Sequence, residues 1–510
     1  MIRLIDNLLN KITMYRLVLY FLIILVAVAG ILGSIGFLPF SPLMLLLSVT
    51  LLTVVCYVIN KLFSLAFNAP TNVESVYITA LILTLIITPP SSLSDISYLI
   101  FIFWAATWAM ASKYILAIGK KHIFNPAAFG VALTALTINQ SASWWIGTAS
   151  MAPFVIVGGL LVVRKIRRFD FILSFLTVAL IGTILLHVNS LPGAYIILRR
   201  MLLSSPLLFF ATIMLSEPLT TPPKRYARMG YGALVGAIFD PSIHLAGLYS
   251  TPELALLLGN IISYILSPKK KLMLRLIAKE QIAKDTYQFS FTSGKDEMEF
   301  HPGQYLEWTL PHKHSDSRGN RRYFTIASSP VEENFRIGVK FYPEPSSFKK
   351  TLLGMKPNDM LVASGLAGEF IMPHNKDVKL CFMAGGIGIT PFESMLNYML
   401  ERKQHRDVIM LYSNKTSADI AYLETIKRAQ NELGIRTVHV LSDTNSLPTG
   451  WQGESGFITA EMIKRKVPDW NERIFFISGP HGMVNAFKDA LKEMGVHRSH
   501  IKIDFFPGFA

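Results

Sequence analysis

Ser267-Pro268-Lys269-Lys270-Lys271 divides this chain in two. The last long apolar run stops there, and an alternating pattern starts at Leu272. Residues 1–271 hold 19 Lys and Arg against 7 Asp and Glu; residues 272–510 hold 30 against 27. The 510 residues are 51% hydrophobic and 16% charged, with a net charge of +15. Soluble domains carry roughly 25% charged residues, so a plain cytosolic enzyme is excluded, as are disorder, collagen and coiled coil. Basic residues clustered between apolar runs suit a membrane and its lipid, not nucleic acid. Two cysteines, Cys56 and Cys381, exclude a disulfide framework and any four-cysteine metal site within the chain. No metal ligands are assigned.

Upstream of the divide, apolar runs cover 15–36, 41–67, 75–89, 96–118, 125–138, 143–163, 170–187, 195–215, 229–247 and 252–267. A spanning helix needs about 20 apolar residues, and some runs are shorter. With the N-terminus inside, 17 of the 19 basic residues fall on the inner side, and only Arg199 and Arg200 fall outside. About ten segments place the region after Lys271 in the cytoplasm and make the chain a multi-pass protein of the inner (cytoplasmic) membrane. Met1 to Arg16 lacks a cleavage site, and Ile2, Ile5, Leu8, Leu9 and Ile12 recur at helical spacing. An amphipathic helix on the inner leaflet over 1–16 is expected.

A weak repeat runs through these segments. The third ends at Thr88-Pro89-Pro90 and the eighth at Thr221-Pro222-Pro223. The fifth opens with Asn125-Pro126 and the tenth with Thr251-Pro252, each a cap followed by proline at the first helical position. An offset of five reverses orientation, the pattern of an inverted repeat with a site near the midplane. Either Thr-Pro-Pro alone reads better as a simple helix stop; only the matched positions of the two bring the repeat level with that reading.

Gly119-Lys120-Lys121-His122-Ile123-Phe124-Asn125-Pro126-Ala127-Ala128-Phe129-Gly130 resembles a motif of a membrane flavoprotein family. Members of that family are the D-type membrane component of Rnf electron-transport complexes and the B-type membrane component of sodium-pumping NADH:quinone reductases. Ser216-Glu217-Pro218-Leu219-Thr220-Thr221-Pro222-Pro223, Gly158-Gly159 and Glu253 to Asn260 continue the likeness over 70–268. The resemblance implies ten helices in two inverted halves, a membrane-embedded flavin, and electron flow toward the outer face. It points to Asn125, Thr220 and Thr221 as cofactor-binding residues. The family's Ser/Thr-Gly-Ala-Thr flavin attachment sequence is lacking. Gly147-Thr148-Ala149-Ser150 has another order and is expected inside the next helix, so a second flavin, FMN or riboflavin, is expected without a covalent bond.

Downstream of the divide, strands are expected at 272–278, 286–291, 304–310, 323–327 and 335–341, suggesting a small barrel. From 379 strands and helices alternate, as in a parallel α/β domain. Arg322-Tyr323-Phe324-Thr325 combines a cation for pyrophosphate, rings for a flat heterocycle and a hydroxyl for a ring nitrogen. A plain strand with a surface arginine is the alternative. Pro345-Ser346-Ser347 opens a helix whose N-terminus favours phosphate, and Gly365 to Phe370 closes the barrel. Gly385-Gly386-Ile387-Gly388-Ile389-Thr390-Pro391 follows an apolar strand and opens a helix, where backbone can approach a pyrophosphate closely. Ser478-Gly479-Pro480-His481-Gly482-Met483 lies at another strand end.

In this order, with Asp504 to Phe509 at the end, these motifs resemble the ferredoxin–NADP reductase superfamily over 272–510. The resemblance implies an FAD barrel (272–375), a nicotinamide-nucleotide domain (376–510), and hydride transfer from NADH or NADPH to FAD. By that likeness Arg322 would hold the FAD pyrophosphate, Phe324 its ring and Thr325 the hydride-accepting nitrogen. Phe509 would shield the flavin. Nucleotide contacts would come from Gly385, Gly386, Gly388, Thr390, Ser478, Gly479, Pro480 and Met483. With the membrane domain (17–268), the chain reads as a membrane flavin oxidoreductase that passes electrons to a flavin-bearing or quinone acceptor. Redox-driven ion transport is the alternative, with Glu217 and Asp240 as the acidic candidates. A haem-type ferric reductase is disfavoured, because His122, His187 and His244 do not form the stacked histidine pairs that haem needs within helices. The choice between NADH and NADPH, further protein partners and homo-oligomerisation stay open.

Overall fold

A computed structural model describes residues 5, 9, 12–67, 73–92, 94–118, 121–187, 191–245, 247–266, 271–294, 296–313, 316 and 319–504. The amphipathic helix expected over 1–16 falls largely outside the described residues, and Phe509 falls wholly outside them. The chain separates into two compact units at Lys271/Leu272.

The first unit is helical: α1 (Met14–Ser34), α2 (Pro42–Ala66), α3 (Val73–Ile86), α4 (Ile96–Ile115), α5 (Pro126–Ile138), α6 (Ala152–Ile166), α7 (Phe169–Leu186), α8 (Leu191–Leu203), α9 (Leu207–Phe209), α10 (Arg225–Ala237) and α11 (Pro252–Leu266). Among the described residues, α1, α2, α4 and α7 are long and apolar enough to cross a membrane. Ile24, Leu65, Val157 and Leu185 are all more than half exposed, as lipid-facing residues are when only protein surrounds them. Caps explain several starts. Ser41 Oγ accepts from Met44 N at 3.3 Å and Asn125 Oδ1 from Ala128 N at 3.1 Å, each followed by proline. Gly130 lets α5 lie directly on α4, since a Cβ there would come within 2.3 Å of the Ala105 carbonyl oxygen.

Three boundaries differ from the sequence expectation. The run 143–163 becomes helical only at Ala152, after a 3₁₀ turn at Trp145–Gly147. The preceding residues are spent on the end of α3: Trp144 N donates to Ile86 O at 2.8 Å, and Trp145 Nε1 to Thr84 O at 2.8 Å. Gly147 to Ser150 therefore precedes the helix instead of lying inside it. The run 195–215 bends by 56° between Leu203 and Leu207, where Pro206 interrupts the ladder and a π turn, Phe210–Met214, follows. The run 229–247 stops at Ala237 and gives way to a hairpin, His244–Leu245 with Leu248–Tyr249, turning through Gly247 at φ 83°.

The second unit opens with β1 (Lys271–Ala283), β2 (Thr286–Thr292), β3 (Tyr305–Thr309), β4 (Arg321–Thr325), β5 (Phe335–Lys340), α12 (Ser347–Gly354) and β6 (Met360–Ala367). The strands form one sheet, ordered β4-β3-β6-β1-β2-β5. The sheet curls, because Ala327 N just past β4 donates to Arg336 O on β5 at 2.7 Å. The first strand runs on to Ala283, beyond the expected 278, carried by a bulged pairing with β2.

The rest is a parallel sheet with helices: β7 (Leu380–Gly385), α13 (Thr390–Glu401), β8 (Val408–Asn414), α14 (Leu423–Leu433), β9 (Arg436–Leu441), β10 (Glu454–Ser455), α15 (Ala460–Lys466), β11 (Ile474–Ser478), α16 (His481–Glu493) and β12 (Ile501–Ile503). β7 and β8 are buried along their whole length, as strands covered on both faces are. The order β10-β9-β8-β7-β11-β12 reverses direction between β7 and β11. Open α/β sheets bind ligands at the carboxyl ends of strands at such a reversal.

Candidate functional site

At that reversal Ala384 on β7 lies opposite Ser478 on β11, so the two glycine loops start side by side. Gly386 adopts φ 51°, which a side chain would disfavour. A Cβ on Gly388 would sit 2.5 Å from the Gly479 backbone, and one on Gly385 would meet Met483 Sδ at 2.1 Å. Gly385, Gly386, Gly388, Thr390, Ser478, Gly479, Pro480 and Met483 are thus gathered at one sheet edge. Pro391 starts α13, whose N-terminus faces the same crevice. Ser478 Oγ donates to Asp504 Oδ2 at 3.0 Å, and burial pushes the Asp504 carboxyl up to about 7. Nothing in the sequence pattern singles out Asp504 for this contact.

On the curled sheet, strand alternation puts Arg322 and Phe324 on one face and Tyr323 and Thr325 on the other. Arg322 is 1% exposed and its guanidinium lies 5.2 Å over the Phe348 ring, with Phe324 6.0 Å from the same ring. Tyr323 is committed elsewhere, donating through its hydroxyl to Glu307 Oε2 at 2.7 Å. Ser346 caps α12, accepting from Lys349 N at 3.3 Å. Ser347 N donates to the Asp316 carboxylate at 2.9 Å, and the same carboxylate lies 3.7 Å from Arg322 Nη2. A buried arginine and a helix N-terminus therefore converge on one anionic group, here a carboxylate. A pyrophosphate fits that donor set, so Arg322, Ser346 and Ser347 suit an FAD phosphate.

In the helical unit, polar groups gather at two places. Asn125 Nδ2 donates to Glu217 Oε2 at 3.0 Å, Thr220 Oγ1 to the same oxygen at 3.4 Å, and Asn125 N to Asn260 Oδ1 at 2.8 Å. His122 Nε2 lies 3.8 Å from Glu217 Oε1, and Asn260 Nδ2 donates to Tyr231 Oη at 3.2 Å. Thr221 is turned away and accepts from Arg168. Beside this cluster His122, Ile123, Leu219, Thr220, Asn260, Ser263 and Tyr264 line a narrow cleft with room for about one water molecule. Cofactor pockets run to roughly 300–1,000 Å³, so the cleft is far too small for a flavin. The second cluster holds Glu253, 2% exposed, which accepts from Trp144 Nε1 at 3.0 Å. Sequence reasoning points to Glu217 and Asp240 as the acidic candidates; Glu253 is the more deeply buried acid.

Residues 273–371 match the oxidoreductase FAD-binding domain family, and residues 382–489 the oxidoreductase NAD-binding domain family. A glycine betaine monooxygenase reductase subunit of Pseudomonas aeruginosa is 27% identical over 208 residues, covering 41% of this chain and 56% of that protein. A Bacillus cereus flavohemoprotein is 28% identical over 215 residues, covering 41% and 53%. NADH-cytochrome b5 reductase 1 of Aspergillus terreus is 27% identical over 217 residues, covering 41% and 72%. The chain spans about half the length of the first two relatives. The second unit is an FAD- and NAD-binding oxidoreductase module of the ferredoxin reductase-like kind, and the chain joins it to a unit with helices apolar enough for a membrane.

Proposed function

We propose that the chain is a membrane-bound flavin oxidoreductase that takes hydride from cytoplasmic NADH or NADPH and delivers electrons into or across the membrane. The observation that carries this reading is the joining, in one chain, of an FAD/NAD module to a helical unit with buried polar clusters. FAD, when bound, supplies acceptance of an electron pair and its release one electron at a time. Arg322 neutralises the pyrophosphate, with the N-terminus of α12 at Ser346 and Ser347 behind it. Phe324 packs beside the ring and Thr325, the last residue of β4, offers its hydroxyl to the reacting nitrogen. Gly385, Gly386, Gly388 and Thr390 hold the nucleotide against Ser478, Gly479, Pro480 and Met483. Phe509 would cover the flavin from the chain's end.

The helical unit, as an inverted repeat of the Rnf and sodium-pumping reductase type, would carry a second, non-covalent flavin, for which the cleft beside Asn125 and Thr220 is too small as it stands. Three likenesses support the repeat. Two short hairpins, Ala117–Ile118 with Lys121–His122 and His244–Leu245 with Leu248–Tyr249, precede the proline-started helices α5 and α11. A carboxylate stands at each start: partly buried Glu217 accepts from Asn125 before α5, and buried Glu253 is the second residue of α11 and accepts from Trp144. The charge distribution favours an inner-membrane topology with both the N-terminus and the second unit in the cytoplasm. The acceptor would be a flavin-bearing protein or a quinone. Flavin extraction and mass analysis of the full chain tests the reading: FAD plus FMN or riboflavin is expected, and FAD alone would remove the second carrier.

Ion coupling is a second reading, favoured by Glu217 and Glu253 beside the starts of two short helices. Proteoliposomes given NADH would accumulate or expel cation under that reading, and a normal electron rate without ion movement excludes it.

A further inference from the structure

The second unit contains a seam of charge that the proposed chemistry does not use. Arg336 on β5 reaches across from the curled sheet to α13 of the parallel sheet. Its Nε and Nη2 donate to the two carboxylate oxygens of Glu332 at 2.7 and 2.6 Å, and its Nη1 to Gln288 Oε1 at 3.1 Å. Only then does Nη1 meet Glu393 Oε1, at 3.4 Å. The same Glu393 oxygen accepts from Asn397 Nδ2 at 2.6 Å and Thr425 Oγ1 at 3.2 Å. Its second oxygen, Oε2, is buried with no hydrogen-bond partner, and so is the hydroxyl of neighbouring Tyr422. Glu393 as a whole is 1% exposed; Glu332 is 24% exposed at its side chain.

Two carboxylates thus share one guanidinium, one at the partly exposed mouth of the seam and one fully buried. The bidentate partner, Glu332, uses the cation's best geometry. A second carboxylate ionised beside it would be a buried charge whose contact to the cation is long, which burial disfavours. Tyr422 and Tyr412 face the group as neutral phenols, kept protonated by burial, and no other cation faces it among the described residues. One of the two acids therefore keeps its proton, and burial selects Glu393. Glu393 is also the third residue after Thr390, directly behind the glycine loop, where a negative charge would oppose a bound pyrophosphate.

We propose that Glu393 is a positioning residue that carries a proton while the seam is closed, and that losing this proton loosens both the seam and the glycine loop in front of it. The inference rests on reading Gly385 to Thr390 as the nucleotide loop. The step is a simple acid dissociation: the Oε2–H bond breaks, the proton goes to water, and the carboxylate remains. Burial pushes the closed-state carboxyl up to about 7 against the pull of Arg336. With the seam open, water returns it to the ordinary carboxylate range. The closed state therefore binds the proton more tightly, and closure weakens as pH rises through the interval between those two values.

The experiment uses the full chain in detergent with FAD bound, reducing ferricyanide with NADH or NADPH from about pH 4.5 to about pH 8.5. The nucleotide KM should rise several-fold as pH climbs toward about 7 and level off above it, while kcat changes little. Glu393→Gln, a neutral mimic of the protonated acid, should hold KM at its low-pH value throughout. Glu332→Gln frees Arg336 for Glu393 and should move the inflection to lower pH. An infrared band from a protonated carboxylic acid should be lost on raising the pH, and should be missing in Glu393→Gln. An unchanged inflection in either variant overturns the proposal, as does a Glu393→Gln change of equal size at all pH values. Gly388→Val separates the two levels of the argument. If it leaves the nucleotide KM and kcat unaffected, the loop reading itself fails; if it abolishes turnover while the inflection stays fixed in Glu393→Gln, only the proton role fails.

Discussion

The two units assemble their polar sites by opposite routes. In the reductase unit the groups come in short strings: Arg322 to Thr325 along β4, and Gly385 to Thr390 and Ser478 to Met483 at strand ends that the sheet topology aligns. In the helical unit the partners are far apart in sequence: Asn125 with Glu217 and with Asn260, and Trp144 with Glu253. A string at a strand end can lose its chemistry without losing the fold. A network tied between distant helices holds the fold and the chemistry together, so damage to it should register in both.

Gly388→Val is the hardest test on the reductase side. A Cβ there has no room against the Gly479 backbone, so the loop must move away from its ligand. Displacements of about 1 Å can cost around 100-fold in rate, and NAD(P)H-to-ferricyanide turnover should fall by at least that. FAD content should stay near wild type, and the melting temperature should fall by only a few degrees, the cost of moving the loop off the Gly479 backbone. A parallel loss of fold would erase the contrast between the two units.

Arg322→Ala comes next. Charge-assisted hydrogen bonds contribute about 1.5–3 kcal/mol, so the FAD dissociation constant should rise roughly 10- to 100-fold. Fluorescence titration of the flavin reads this directly. Arg322→Lys should recover only part, because a point charge cannot reproduce the planar fork.

Glu253→Gln probes the other unit. The amide keeps an acceptor for Trp144 Nε1 but adds a donor in a buried place. Ferricyanide reduction by the second unit should be unaffected, while quinone reduction should fall several-fold and detergent stability by about 1 kcal/mol. Equal activity with both acceptors would detach Glu253 from the electron route.

These outcomes follow the difference in legibility. Arg322 and the glycine loops stand out in the sequence because contiguous residues declare contiguous chemistry, whereas the order of the strands comes only from the sheets. Where alternation assigns faces, the reading is incomplete: Tyr323 sits opposite Arg322 and serves Glu307. In the helical unit hydropathy locates the runs but not their ends, since Trp144 and Trp145 close α3 instead of starting α6. Glu253 enters only as part of a likeness over 253–260, because nothing near it in sequence reveals Trp144. Asp316 and Glu393 are equally invisible, their roles depending on side chains that arrive from other elements.

Arg473 supplies the mildest and cleanest contrast, an ionic knot at the opposite end of the parallel sheet from the glycine loops. It is fully buried, donating to Leu380 O at 2.9 Å and to the carboxylates of Asp407 and Asp469 at 2.8 and 2.7 Å. The guanidinium holds the Asp469 carboxyl down at about 2, below its ordinary range. The stabilisation is therefore present at neutral pH and is lost as pH falls from about 4 toward about 2. Asp469 is 25% exposed at its side chain, so water screens the pair and its contribution is about 1 kcal/mol. Asp469→Asn should lower the melting temperature of the second unit slightly at pH 7 and leave it unchanged near pH 2. Activity should not move, because the knot lies at the amino ends of β7 and β11 and the crevice at their carboxyl ends. A loss of turnover in Asp469→Asn would mean that strain crosses the sheet, and that the strings at its far edge are less independent of the fold than their spacing implies.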